Sequence, residues 1–423
     1  MKTLKPAHAV ATVLTTMLIL TLNAGCKKQP HYEADPNNPY VNSHPTYSGG
    51  EARPGIHRFS PASGLPNTVV EISGRNFDAV AANNIVTVGG VPATVNSASP
   101  QTISITIPLN AVTGPIAIKT GDTTITSVID FKVLTSTVST YLTLTTKIEH
   151  ISFAENGNLF GENPQGVYQI TSGGAITLYN NGQYQFGSLW GSGYHKAEGF
   201  GDVYVADRVA GKILRITPSG AVGTLAGGQN GIADGVGNEA KFAVPIGIAL
   251  DEAGNIYTTD SHRIRKITSS GVVTTLAGGV LIGAKDGVGS DAQFGDLQGL
   301  TVDGDGSIYV TDRQFLNIRK ITKSGGVTTL AGSGATGLVD GPGAAAQFVD
   351  PINVLADQSG NLVVADGNST TGYAIRLVNK LGAVTTLLNG QILNAPDGMA
   401  LDPEGNLYVV NTGTNTILKL TFK

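Results

Sequence analysis

From residue 136 to residue 423 the chain is built of short apolar runs separated by Gly, Asp, Asn and Ser. In one stretch IGIALD at 246–251 passes through Glu252, Ala253 and Gly254 into Asn255, Ile256 and Tyr257. After Asp260 come RIRKIT at 263–268, a Ser-Ser-Gly turn, and VVTTLAG at 272–278. Runs this short, rich in Ile, Val, Thr and Tyr, predict antiparallel strands joined by tight turns. Gly254 stands where a hairpin turn needs a positive φ angle, which glycine adopts at little cost. Sustained 3.6-residue periodicity is missing outside the N-terminus, so few helices are expected.

The string GNIYTTD at 254–260 recurs as GNLFGEN at 157–163, GDVYVAD at 201–207, GSIYVTD at 306–312, GNLVVAD at 360–366 and GNLYVVN at 405–411. Successive copies lie 44, 53, 52, 54 and 45 residues apart, a period that marks stacked structural units. Four strands per unit, six times over, bury both faces of each sheet only when the sheets are arranged radially. The last unit supplies three runs, near 397–402, 406–411 and 416–422. The run VSTYLTLTT at 138–146 precedes the first unit and resembles VVTTLAG, so it is expected to complete the last sheet as its outermost strand. Residues 136–423 are thus predicted to form one six-bladed β-propeller.

The apolar first strand, the GN-[IL]-Y-x-x-D second strand and the IRKI third strand resemble the NHL-repeat family of propellers. So does DGVGNEAKF at 234–242, repeated as DGVGSDAQF at 286–294 and DGPGAAAQF at 340–348. Blades one and two depart from the pattern and lack this preceding stretch. Upstream, residues 53–134 hold alternating runs that include TVVEISGRNF at 68–77, NIVTVGGVPATV at 84–95 and TISITIP at 102–108. Seven or so short strands in this space predict an immunoglobulin-like β-sandwich. The PxIxxxSPxxG start, the VxISGxNF strand and the VxVGGVPA segment resemble the IPT/TIG family, whose members commonly act as spacers or interaction modules. The predicted fold class is all-β, with an N-terminal sandwich followed by the propeller.

Residues 1–25 carry Lys2 and Lys5, an apolar run from Ala9 to Leu22, and Asn23-Ala24-Gly25 before Cys26. This reads as an export signal whose apolar core is short for a membrane span. Cys26 is the single cysteine, so disulfides within the chain are excluded. Its place after small residues resembles a bacterial lipoprotein processing site, which implies lipidation of Cys26 and anchoring to the outer membrane at the cell surface. Cleavage by ordinary signal peptidase is the alternative. Residues 27–52, rich in Pro, Asn, Ser and Gly, read as a tether. Without the leader the chain holds 25 basic and 31 acidic residues, which gives no reason to expect nucleic acid as a partner.

Candidate chemistry is sparse. Asp207, Asp260, Asp312 and Asp366 end the second strand of four blades, with Asn411 in a fifth. Their recurrence favours turn chemistry, with Arg215, Arg265, Arg319 or Arg376 as partners in the next strand. Asp303, Asp305 and Ser307 have the one-three-five spacing of a calcium loop, but neither the following Gly nor a later Glu is present. Propeller enzymes resembling amidating lyases or lactonases place several His or carboxylate ligands on their inner strands. Here those strands read IGIAL, LQGLTV, INVLAD and DGMAL. No catalytic residue, no metal and no cofactor is therefore expected, and an enzyme of lyase or lactonase type is the minority alternative. The densest aromatic stretch, 179–200, holds Tyr179, Tyr184, Phe186, Trp190, Tyr194 and Phe200, in the connection into blade two. Exposed rings there would stack on sugar faces, with Tyr184, Trp190, Tyr194, Arg208, His262 and Arg313 as candidate binding residues. Filling of blade-to-blade core by the same rings is the competing reading. The combination of families resembles surface lipoproteins of glycan-scavenging Bacteroidota. A non-catalytic cell-envelope binding protein is expected, with a polysaccharide or an envelope protein as partner and membrane contact through the lipid anchor alone.

Overall fold

In a computed structural model, residues 53–423 are described except 155–156, 172, 181, 183, 196–200 and 358–359. The expected leader, Cys26 and the tether lie outside the described residues.

In the N-terminal sandwich eight strands form one curled hydrogen-bonded sequence that begins with Gly55–Ser60, Val69–Arg75 and Thr102–Thr106. Alternation explains why it folds: along Gly114–Thr120 every second residue is buried, so one face of each strand supplies the core. That core centres on Val70, Ile72, Ile103, Ile105, Ile116 and Phe131. The sandwich meets blade five through a buried amide pair. Asn67, at a positive φ of 73°, donates from Nδ2 to Ala383 O at 2.9 Å and accepts at its own carbonyl from Asn379 Nδ2 at 2.9 Å.

Six further sheets form the propeller. In blade three the strands run outward as Pro245–Leu250, Ile256–Asp260, Arg263–Ile267 and Val272–Gly278. Every residue of Ile256–Asp260 is buried, because this strand has a neighbouring blade on each face. Gly254 turns the first hairpin at a φ of 78°. The sixth sheet takes Pro396–Leu401, Leu407–Asn411 and Thr416–Phe422 from the end of the chain and Ser136–Thr143 from its other side. The last pair runs antiparallel, from Ser136 opposite Phe422 to Thr143 opposite Thr416. The expected closing strand is therefore present.

Blades three, four and five differ from the expected four strands. Gly235–Val236, Gly287–Val288 and Gly341–Pro342 each add a short fifth strand on the outer edge. These come from the repeated DGxG stretch, whose Phe242, Phe294 and Phe348 are fully buried. The stretch is a strap that runs around the outside of a blade before its innermost strand begins.

Candidate functional site

The recurrent aspartates hold the straps and turns. Asp260 accepts the backbone N–H groups of Ala243 and Val244 at 2.8 Å, fixing the entry to its own blade. Asp366 does the same for Val349 and Asp350. The expected arginine pairing holds in blades three and five, where Arg265 Nη1 donates to Asp260 at 2.8 Å and Arg376 Nη1 to Asp366 at 3.0 Å. It does not hold as a hydrogen bond in the other two. Arg319 bonds instead to Asp286 of its strap at 2.8 Å and to the carbonyls of Gln293 and Lys285. Arg215 is half-exposed and pairs with Asp202 at 2.6 Å, because no strap carboxylate draws it inward in blade two. Arg265 and Arg376 likewise bind their strap residues Asp234 and Asp340 at 2.8–2.9 Å. Each buried guanidinium also lies over the strap phenylalanine, about 5 Å from Phe242 for Arg265. The calcium-like spacing is hairpin chemistry too: Asp303 accepts from the N–H groups of Asp305 and Ser307 and from the Tyr309 hydroxyl.

The innermost strands converge on a channel with a cavity of ≈ 290 Å³. Small residues allow that convergence: a Cβ on Gly398 would collide with the His150 backbone and one on Gly299 with Asn353. Gly398 N donates to Glu149 O at 2.9 Å and Gly299 N to Ile352 O at 2.9 Å, so inner strands are bonded blade to blade. Apolar residues, Ile248, Leu300, Val354 and Met399 among them, line about half of the wall, and polar groups line the rest. One end is charged. His150 sits there with Nδ1 3.6 Å from Glu162 and Nε2 3.4 Å from Asp397. Burial alone would lower the His150 pKa, but the charges of Asp397, Glu162 and Glu149 outweigh it and push the value up to about 9. His150 is therefore an imidazolium at neutral pH, held between two carboxylates.

Sequence reasoning missed this cluster, although its signal was in the repeat. Glu162 in GNLFGEN occupies the position of Thr259 and Thr311, and His150 stands where other inner strands carry Gly247, Gly299 and Gly398. Thr259 shows the ordinary role, accepting from Gly247 N and donating to Gln298 O. Blade one replaces that neutral bridge with an ion pair.

Of the sequence-predicted site residues, Arg208, His262 and Arg313 fall on or beside the rim at this end, following the second strands of blades two, three and four. His262 Nδ1 donates to Gly295 O at 2.6 Å. Arg313 makes a two-pronged pair with Asp350, its Nη2 2.8 Å from Oδ2, and it also feels the charge of Asp397. Tyr184 packs on Phe186, ring centroids 5.0 Å apart, against the core between blades one and two. Trp190 and Tyr194 are not in a connecting segment: Leu189–His195 is the innermost strand of blade two. Their side chains, and Phe200, lie outside the described residues. Among the described residues no group of three or more His, Cys, Asp or Glu is arranged to hold a metal ion.

Fold and channel together define a sandwich followed by a closed six-bladed ring. Residues 54–144 match the IPT/TIG domain family, a span that overlaps the closing strand of blade six. Over 145 residues the chain is 34% identical to Protein SUPPRESSOR OF QUENCHING 1, chloroplastic, of Arabidopsis thaliana. Over 223 residues it is 26% identical to Teneurin-1 of Gallus gallus. The chain spans 14% and 8% of those relatives' own length. A solved auxiliary nutrient binding protein from Bacteroides ovatus is similar with a TM-score of 0.52 at 16% identity, covering 87% of this chain and 97% of that one. One from Bacteroides thetaiotaomicron gives 0.51 at 15%, covering 88% and 98%. Those likenesses show the shared fold.

Proposed function

We propose that this chain is a non-catalytic binding protein of the cell envelope, tethered through an acylated Cys26, with the propeller as its ligand platform. The observation that carries this reading is the channel mouth. Polar and charged side chains converge there on a cavity of ≈ 290 Å³, yet no nucleophile with a relaying base stands among the described residues that line it. The Bacteroides nutrient binding proteins of similar fold support the same direction. A surface glycan is the first ligand to test, with Tyr184, Trp190 and Tyr194 as stacking residues and Arg208, His262 and Arg313 as polar contacts.

Calorimetry and affinity electrophoresis against a panel of polysaccharides test the proposal. Binding that drops on Trp190→Ala with Tyr194→Ala supports it, and absence of binding to every glycan removes it. A protein partner is the second reading, favoured by the exposed apolar loop Val280, Leu281 and Ile282, which are 82%, 64% and 52% exposed. Pull-down of an envelope protein, lost when these three become Ser, would favour that reading. Anchoring is checked separately, since Cys26→Ser should move the protein from the membrane to the soluble fraction.

A further inference from the structure

We propose that the mouth of the central channel binds a small uncharged polyhydroxy compound, about the size of one sugar ring, gripped by polar side chains from blades four, five, six and one. This rests on the reading of the propeller as a ligand platform, and adds where the ligand sits and what it is.

The repeat itself isolates the positions. Each innermost strand leads into a hairpin begun by Asp251, Asp303, Asp357 or Asp402, with Ala154 in blade one. Five residues before that point stand Ile246, Gln298, Ile352 and Asp397, and four before it stand Gly247, Gly299, Asn353, Gly398 and His150. Blade three shows that the fold is satisfied by Ile and Gly there. Polar side chains replace them in blades four, five, six and one, whose innermost strands neighbour one another in that order. A contiguous polar arc results, with Ile246 and Gly247 of blade three beside it.

Gln298 points most clearly to a ligand. It lines the cavity and is 6% exposed, and its side-chain amide has no hydrogen-bond partner among the described residues. The amide opens onto the cavity, where blades three and five place Ile246 and Ile352 at the same position. A ligand hydroxyl, both donor and acceptor, matches an amide that offers one of each.

Charge decides the class. His150 is held between Glu162 and Asp397, and Glu149 pairs with Lys147, so among these groups carboxylates outnumber cations by three to two, which disfavours a carboxylate or phosphate. The volume, ≈ 290 Å³, is at the small end of ligand pockets and excludes a polymer from the channel. Apolar walls at Ile248, Leu300, Val354 and Met399 suit the C–H faces of a sugar ring.

Calorimetry of the full chain with neutral pentoses and hexoses, the corresponding uronates and amino sugars tests this. A neutral sugar should bind, its uronate should bind at least about tenfold more weakly, and Gln298→Ile should weaken the neutral sugar at least about tenfold. The melting temperature of Gln298→Ile should stay level or rise, which a structural role for the amide would not allow. Asn353→Leu, in the next blade, should weaken the same sugar. No binding of any neutral sugar, tighter binding of the uronate or amino sugar, or full affinity in Gln298→Ile would overturn the proposal. Polysaccharide binding without monosaccharide binding would remove the channel site and leave the platform, and loss of both would remove both.

Discussion

Blade three and blade one both bury charge, but in different company. Arg265 is fully enclosed, its two terminal nitrogens bonded to Asp260, Asp234 and the carbonyls of Lys241 and Ala233. Arg319 and Arg376 show the same enclosure in blades four and five. His150 is held between Glu162 and Asp397 at 3.4–3.6 Å, in one blade only, and against a cavity. A charge that recurs and is enclosed by its own strap serves the fold. One that breaks the repeat and faces open space has been placed for something else.

The contrast can be broken from either side. Arg265→Met should have the largest effect, because it leaves Asp260 buried without its cation. Such losses amount to about 3–5 kcal/mol, readable as a lower urea midpoint, and a shift near zero would show that the straps hold without the arginine. The pH dependence should come next. The folded pKa of His150 is raised from 6.5 to about 9, so its stabilisation is full below pH 6.5 and is lost as the pH rises through 9. The shift corresponds to about 3 kcal/mol. Denaturation midpoints at pH 6, 8 and 10 should fall accordingly, and Glu162→Gln, which removes one of the carboxylates facing His150 alongside Asp397 and Glu149, should flatten the profile. A wild-type profile as flat as that of Glu162→Gln would mean that His150 is neutral. The smallest change is expected from Gln298→Ile, since the amide opens onto the cavity and exposed substitutions stay within about 0.5 kcal/mol; a larger loss would assign the amide to the fold.

The six sheets and the closing strand were legible because turn glycines and strand alternation are local signals repeated at a steady spacing. The fifth strands were not. Gly235–Val236 is two residues long, and its strap is held by Arg265, a partner far along the chain that no local pattern reveals. The aspartates read correctly as turn chemistry, while two of the four arginine partners did not: Arg319 turns to its strap carboxylate Asp286, and Arg215, in a blade without a strap, pairs with Asp202. At the candidate site, Gln298 in LQGLTV and Glu162 in GNLFGEN were visible as exceptions. Their meaning was hidden because the cluster joins His150 and Asp397 from opposite ends of the repeat, and only closure of the ring makes them neighbours.

That closure also sets an order of assembly. Ser136–Thr143 is synthesised before any blade is complete, yet its partner Thr416–Phe422 belongs to the last blade. Until the final strand is available, the early strand and Leu407–Asn411 each present an unpaired edge, the kind of surface that invites association between chains. A chain shortened before Thr416 would keep five whole blades and still be prone to aggregate, so the final strand decides whether a full-length product is distinguished from a truncated one.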